Sequence, residues 1–418
     1  MNNTFRDLSE MDMYSARSPR TLCHTRALKS ANRLECLMTE FYAHWCLETI
    51  GANAPWGVIK RLATRRNNQL DDAKVISWNA GALWRELNCP KKNRYEHYLS
   101  ENAWFGTQCL RWLQKNKPRV SKHTVIFSYS GTAIEVFKWA KFQGARTVLG
   151  MIDPGRVEQE IVREEAARWP GWEKERDVAP ELYNQRRIEE CRIADVIVVN
   201  SRWSLECLEK QGVPPKKIFV IPLCYESARE EADFRRHYKG SLWDQGVRPF
   251  TVLFLGQVIL RKGIQYLIQA AKHPDLAEVV FDVVGPVGIT EAAIRSAPCN
   301  MRFHGIASRT DVSEWYRRAD LFVLPTISDG FAITQIEAMA HGLPVIATPN
   351  CGEVVRDGED GLIVPVRDSN ALVEAILRFV KDPSFHNKCR EQAMIRSRDF
   401  TLHVLQNKLI ELEKMLEI

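Results

Sequence analysis

Along most of the chain, short apolar runs bounded by turn residues alternate with amphipathic stretches. That is the pattern of β-α units on a parallel sheet, whose strands are buried on both faces. It predicts an α/β protein. Strands are expected in the first half at LECLMTEFY (34–42), KVISW (74–78), TVIFSYS (124–130), RTVLGMI (146–152), VIVVN (196–200) and KIFVIPL (217–223). In the second half they are expected at TVLFLG (251–256), EVVFDVVG (278–285), MRFHG (301–305), LFVLPT (321–326), PVIAT (344–348) and LIVP (362–365). Ahead of the helix-like TLCHTRALKSAN no clear strand signal stands out.

Between these two sets lies 225–248, charged and strand-free, where one sheet would end and another begin. It reads as a linker, dividing the chain into 1–224, the linker, 249–399 and a C-terminal helix, 400–418. That tail ends in VLQNKLIELEKMLEI, with leucines and isoleucines at helical spacing, and suits a cap on either half.

Composition sharpens this picture. At 418 residues the chain exceeds one ordinary core, and its 45% hydrophobic and 26% charged content is that of a packed globular protein. A net charge of +6 without a long Lys/Arg run argues against a nucleic-acid binder. The nearest basic run, KRLATRR at 60–66, reads as a solvated helix face or as a patch for an anionic acceptor or lipid surface. No apolar stretch approaches the ~20 residues that span a bilayer, and the first residues carry no signal-peptide pattern. A cytoplasmic location is expected, with peripheral membrane contact left open. The eleven cysteines are scattered singly, which argues against a zinc site or a disulfide framework.

The strongest chemical signal is LFVLPTISDGFAITQIEAMAHGLPVIAT, 321–348. A strand running to Pro325 and Thr326 is followed by a loop through Asp329 and Gly330. A helix is expected from about Phe331 to His341, stopped by Gly342 and Pro344. Thr334, Glu337 and His341 fall on one polar stripe of that helix, opposite Ile333, Ile336, Met339 and Ala340. The amides of Gly330, Phe331 and Ala332 would then sit at the helix N-terminus, suited to a phosphate. The bland alternative makes Asp329 a helix cap and Glu337 a solvated helix residue.

This stretch resembles the retaining glycosyltransferases of family 4, which have the GT-B fold of two Rossmann-like domains facing across a cleft. Their signature is an acid, seven residues, then Glu, within E-G-F-G-x-x-x-x-E-A-M-A-x-G-x-P-V-I-A. Here it reads Asp329-Gly330-Phe331-Ala332, then Glu337 through Ala347, with Asp in place of the usual Glu. The resemblance implies that Glu337 holds the ribose, that Asp329 contacts the donor sugar, and that the backbone through Ile333 and Thr334 lines the nucleotide-sugar site. It further implies an acceptor-binding first half and a donor-binding second half.

A second element is FLGQVILRKGIQYLIQAAK, 254–272. In the resembling family a loop of form G-R-x-x-x-x-K-G supplies an Arg and a Lys to the diphosphate. Gly256, Lys262 and Gly263 match, Gln257 stands where the Arg is usual, and Arg261 is expected to supply that charge. No D-x-D follows an apolar strand, so cationic side chains rather than a metal are expected to neutralise the leaving diphosphate. Many family members place a His at the end of a first-half strand; here RTVLGMI ends in Asp153-Pro154-Gly155-Arg156. Asp153 either replaces that His or forms an ordinary turn. SARSPR, 15–20, is the only candidate for the family's early Gly-rich loop.

The expected activity is transfer of a sugar, with retention, from a nucleoside-diphosphate sugar to a sugar or glycoconjugate acceptor, with no other cofactor. A catalytically silent nucleotide-sugar binder and a nucleotide-sugar epimerase of the same fold remain open.

Overall fold

The structure is a computed structural model and describes residues 13–16, 22–43, 68–89, 93–173, 178–226, 243, 246 and 248–416. Its strands are β1 (Met13–Ala16), β2 (Cys36–Thr39), β3 (Val75–Ser77), β4 (Val125–Tyr129), β5 (Arg146–Met151), β6 (Val196–Val199) and β7 (Ile218–Val220). Then follow β8 (Thr251–Leu255), β9 (Val280–Val284), β10 (Met301–Gly305), β11 (Leu321–Leu324), β12 (Val345–Ala347) and β13 (Gly361–Ile363).

Two all-parallel sheets result, ordered β3-β2-β1-β4-β5-β6-β7 and β10-β9-β8-β11-β12-β13. In both, strand order reverses beside the first strand, the doubly wound arrangement that leaves a crevice at the carboxyl ends of two adjacent strands. In the second sheet those strands are β8 and β11, which pair through Leu321 with Val252 and Phe322 with Leu253. The position of the functional site follows from this reversal.

Every strand expected from apolar runs is present. The sheet also contains β1, in the centre between β2 and β4. MYSA gives no apolar run, and its place in the sheet comes from backbone pairing on both sides. SARSPR beyond Ala16, KRLATRR and most of 225–248 lie outside the described residues.

Alternation along the first sheet sorts its side chains into two cores. Phe127, Val148 and Val198 face one side, and Ile126, Leu149 and Ile197 the other. The C-terminal helix Leu402–Leu416 returns to the first of these, burying Leu405, Leu409, Leu412 and Leu416 against Ala27 and Leu28. The tail therefore caps the first sheet, although it follows the second in sequence. Among the described residues, no helix is long and apolar enough to cross a membrane.

Candidate active site

The loop after β8 turns sharply at Leu260–Lys262 and enters the helix Ile264–Ala271 through Gly263, whose φ is 78°. A Cβ at Gly263 would collide with the Pro325 carbonyl at the end of β11, so only glycine lets the two loops meet. They are joined by the Ile327 amide donating to the Arg261 carbonyl at 2.9 Å. Arg261 and Lys262 are thereby brought against Asp329.

Lys262 Nζ forms an ion pair with Asp329, and Arg261 Nη1 lies 3.6 Å from the same carboxylate. Arg261 also donates to the Ser328 carbonyl at 2.8 Å. Burial favours the neutral acid at Asp329, but Lys262 and Arg261 outweigh it and hold the carboxyl below its ordinary range. Arg261 and Lys262 thus both face the Asp329 carboxylate. Gln257 is exposed and Gly256 half-buried.

The other wall comes from the first sheet. A Cβ at Gly330 would collide with the Ile152 carbonyl just beyond β5, so this glycine permits close approach of the two halves. Asp153 follows Ile152. It accepts the Gly155 amide at 2.9 Å, the ordinary turn contact, and also receives Arg187 Nη2 at 2.5 Å and Nη1 at 3.2 Å. Burial opposes ionisation there, but Arg187 keeps Asp153 below the usual carboxylate range.

Five residues further on, Glu158 sits in the first turn of the helix Arg156–Arg168. Its Oε2 accepts from Ser328 Oγ at 2.9 Å and lies 3.3 Å from Arg261 Nη1. Burial raises this carboxyl to about 7, against the opposing pull of Arg261.

Several expectations for the acidic stretch are corrected. The helix begins at Thr334, not Phe331, and runs only to Ala340. The Ala332 amide donates to the Cys351 carbonyl at 3.0 Å, and the Gly330 amide serves the Asp329 carboxylate. Those two amides are thus engaged within the loop. Phe331 and Ala332 are buried in the core around the second sheet, whereas Ile333 and Thr334 are half-buried.

The polar stripe is also redrawn. His341 is 3% exposed, its Nδ1 lies 2.7 Å from the Glu337 carbonyl, and its ring stacks on Tyr316 at 4.9 Å. Glu337 remains half-buried, accepting from Tyr316 Oη at 2.9 Å. Tyr316 fixes the carboxylate from a separate helix, Arg309–Arg318.

The motif reading missed Glu158, Ser328, Arg187 and Tyr316. Ser328 immediately precedes Asp329, and Glu158 follows the carboxyl end of β5; both could have been sought from the crevice rule alone. A cavity of about 590 Å³ between the helices Arg156–Arg168, Glu181–Ile193 and Arg202–Lys210 is lined by Arg187 but by none of Arg261, Lys262 and Asp329.

Residues 249–382 match the family model described as Glycosyl transferases group 1. The D-inositol 3-phosphate glycosyltransferase of Pseudarthrobacter chlorophenolicus is 26% identical over 235 residues, 51% of this chain and 55% of that protein. An uncharacterised glycosyltransferase of Methanocaldococcus jannaschii is 29% identical over 169 residues, 39% of this chain and 47% of that one. The chain spans about half the length of these curated relatives. Among solved structures, Anabaena HepE in complex with UDP and glucose superposes with a TM-score of 0.61 at 16% identity, covering 97% of this chain and 100% of that one. Sucrose-phosphate synthase from Thermosynechococcus elongatus gives 0.64 at 19% identity, covering 97% and 99%. The architecture is GT-B, and the stretch that matches the group 1 glycosyltransferase model lies within its second half.

Proposed function

We propose that the chain is a retaining glycosyltransferase of family 4, moving a sugar from a nucleoside-diphosphate sugar to a hydroxyl-bearing acceptor without a divalent metal. The observation that carries this reading is the convergence of Arg261, Lys262 and Asp329 at the switch point of the second sheet, opposite the tip of β5.

Arg261 and Lys262 would neutralise the diphosphate as the sugar bond breaks, Arg261 through a planar fork and Lys262 as a compact charge. Asp329 would then exchange its cations for hydroxyls of the donor sugar. Glu337, held by Tyr316, would take the ribose hydroxyls. The first half, 1–224, would bind the acceptor. Retention rests on resemblance to the family motif. Buried free thiols among the described residues fit a reducing compartment and support a cytoplasmic location. Uridine diphosphate is the first leaving group to test, because HepE was solved with it.

The test is incubation of the full chain with uridine, guanosine and adenosine diphosphate sugars and a panel of glycan, lipid-linked and small acceptors. The anomeric configuration of the product is read by NMR. Transfer with retention is expected, at a rate unchanged by strong chelation. An inverted product overturns the retaining assignment, and loss of activity restored by magnesium or manganese overturns metal independence. Binding without transfer across the panel overturns the enzymatic reading, and an epimerised nucleotide sugar replaces it.

A further inference from the structure

Arg261 lies in the field of three carboxylates: Glu158, Asp329 and Asp153. Asp153 has its own counterion in Arg187, and Asp329 has Lys262. Glu158 has Arg261 and the Ser328 hydroxyl, which in turn accepts from Trp203 Nε1 at 3.1 Å. Cys207, which also lies in the field of Glu158, is pushed up to about 12 by burial and stays a neutral thiol.

Within the ion-paired groups Arg261 and Lys262 therefore balance Glu158 and Asp329, while Arg94, on the helix Arg94–Asn116, adds its field at Arg261 from outside the pairs. A donor diphosphate brings about two further negative charges into a site closed by both halves, where uncompensated charge is costly. Once the guanidinium turns to a phosphate, Glu158 loses its cation, with its side chain only 16% exposed.

We propose that Glu158 takes up one proton from solvent when the diphosphate of the donor engages Arg261, a positioning role that lowers the negative charge of the closed site. This rests on the nucleotide-sugar reading above. The proton comes from water and goes to the carboxylate, and no other bond changes. Ligand-free, the Glu158 carboxyl titrates at about 7, so loss of Arg261 and arrival of phosphate move it in the direction it already leans.

The experiment is calorimetric titration of the full chain with UDP, GDP and ADP at pH 8, in two buffers of different ionisation heat. The free nucleotides are fully ionised there, so proton uptake reports the protein. The expected result is close to one proton taken up per nucleotide bound, with affinity falling nearly tenfold per unit between about pH 7.5 and 8.5. In Glu158→Gln the uptake drops to near zero and the pH slope flattens. Binding without proton uptake, or uptake undiminished in Glu158→Gln, overturns the proposal while leaving nucleotide binding intact. The first of these outcomes needs no variant. Failure of all three nucleotides to bind overturns both this proposal and the reading beneath it.

Discussion

The loops beyond β5 and β11 face each other, yet they are built differently. The β11 loop is dense with motif: Ser328, Asp329 and Gly330 fall in four residues of irregular chain after Thr326, tied by backbone contacts to Asn350 and Cys351. The β5 loop gives over to a helix at Arg156, and its carboxylates, Asp153 and Glu158, come from the turn and the first helical turn. One side presents cations with a carboxylate between them, and the other supplies counter-charge. A single charged cluster is thus divided between a half with a recognisable signature and a half without one.

The same first-half helix also ties the two halves together away from the chemistry. Glu165, with a side chain 0% exposed, accepts Tyr266 Oη at 3.1 Å and Gln265 Nε2 at 3.0 Å and pairs with Arg367. If the division between framework and site is real, Arg367→Ala should lower stability by about 3 kcal/mol, because a buried carboxylate loses its closest cation. Nucleotide affinity of the folded protein should not change. Arg367 has a left-handed φ of 66°, so Arg367→Gly should recover about 1 kcal/mol of that loss. Melting curves and nucleotide titration of both variants check this, and a large affinity loss would show that the tie belongs to the site.

Glu158 sharpens the comparison through pH. Its folded carboxyl is raised to about 7 from 4.5, so the folded state binds more protons than the unfolded one across that window. Stability from this group is present below pH 4.5 and is lost as pH rises through about 7. Asp153 and Asp329, held low, act with the opposite sign, their stabilisation being lost in acid. Glu158→Gln should therefore raise stability at pH 8 by up to about 3 kcal/mol, an order-of-magnitude figure from the shift, and by almost nothing at pH 4. Chemical denaturation at both values checks the sign.

The unequal legibility of the two loops has physical causes. Parallel strands buried in a sheet appear as apolar runs, which is why twelve of the thirteen strands among the described residues stood out and MYSA did not. Gly263 and Gly330 were visible as motif letters, but their reason, a carbonyl from another loop at the missing Cβ, exists only in three dimensions. Helical spacing put His341 on a polar stripe because it cannot register the Tyr316 ring from a distant helix. The helix RVEQEIVREEAAR is largely charged, yet Glu165 is buried and Glu158 half-buried against the second half. Their ion pairs join residues 103 and 202 positions apart, beyond any local pattern.

The two acids of the second half should also separate. Glu337→Ala should weaken free nucleoside diphosphate about 10- to 100-fold, the loss of roughly 1.5–3 kcal/mol for a charge-assisted hydrogen bond. Asp329→Ala should leave that affinity equal or tighter, since it frees Lys262 and Arg261, while turnover of the sugar donor falls. Weaker nucleotide binding in folded Asp329→Ala would overturn its assignment to the sugar.

The smallest effect tests whether Tyr316 acts on the nucleotide through Glu337. Its hydroxyl donates to the carboxylate at 2.9 Å, whereas its ring, 1% exposed, stacks on His341 and packs 5.9 Å from Phe322. Tyr316→Phe keeps those ring contacts and removes only the donor, so stability should fall by no more than about 1 kcal/mol. Without that hydrogen bond Glu337 can rotate away from the ribose, and the affinity for free nucleotide should drop about fivefold, the equivalent of about 1 kcal/mol. The same substitution in a Glu337→Ala background should add nothing further, because the carboxylate that the hydroxyl holds has gone. Additive losses in the double variant would mean that Tyr316 touches the nucleotide itself, and an unchanged affinity in the single variant would mean that helix packing alone holds Glu337 in place.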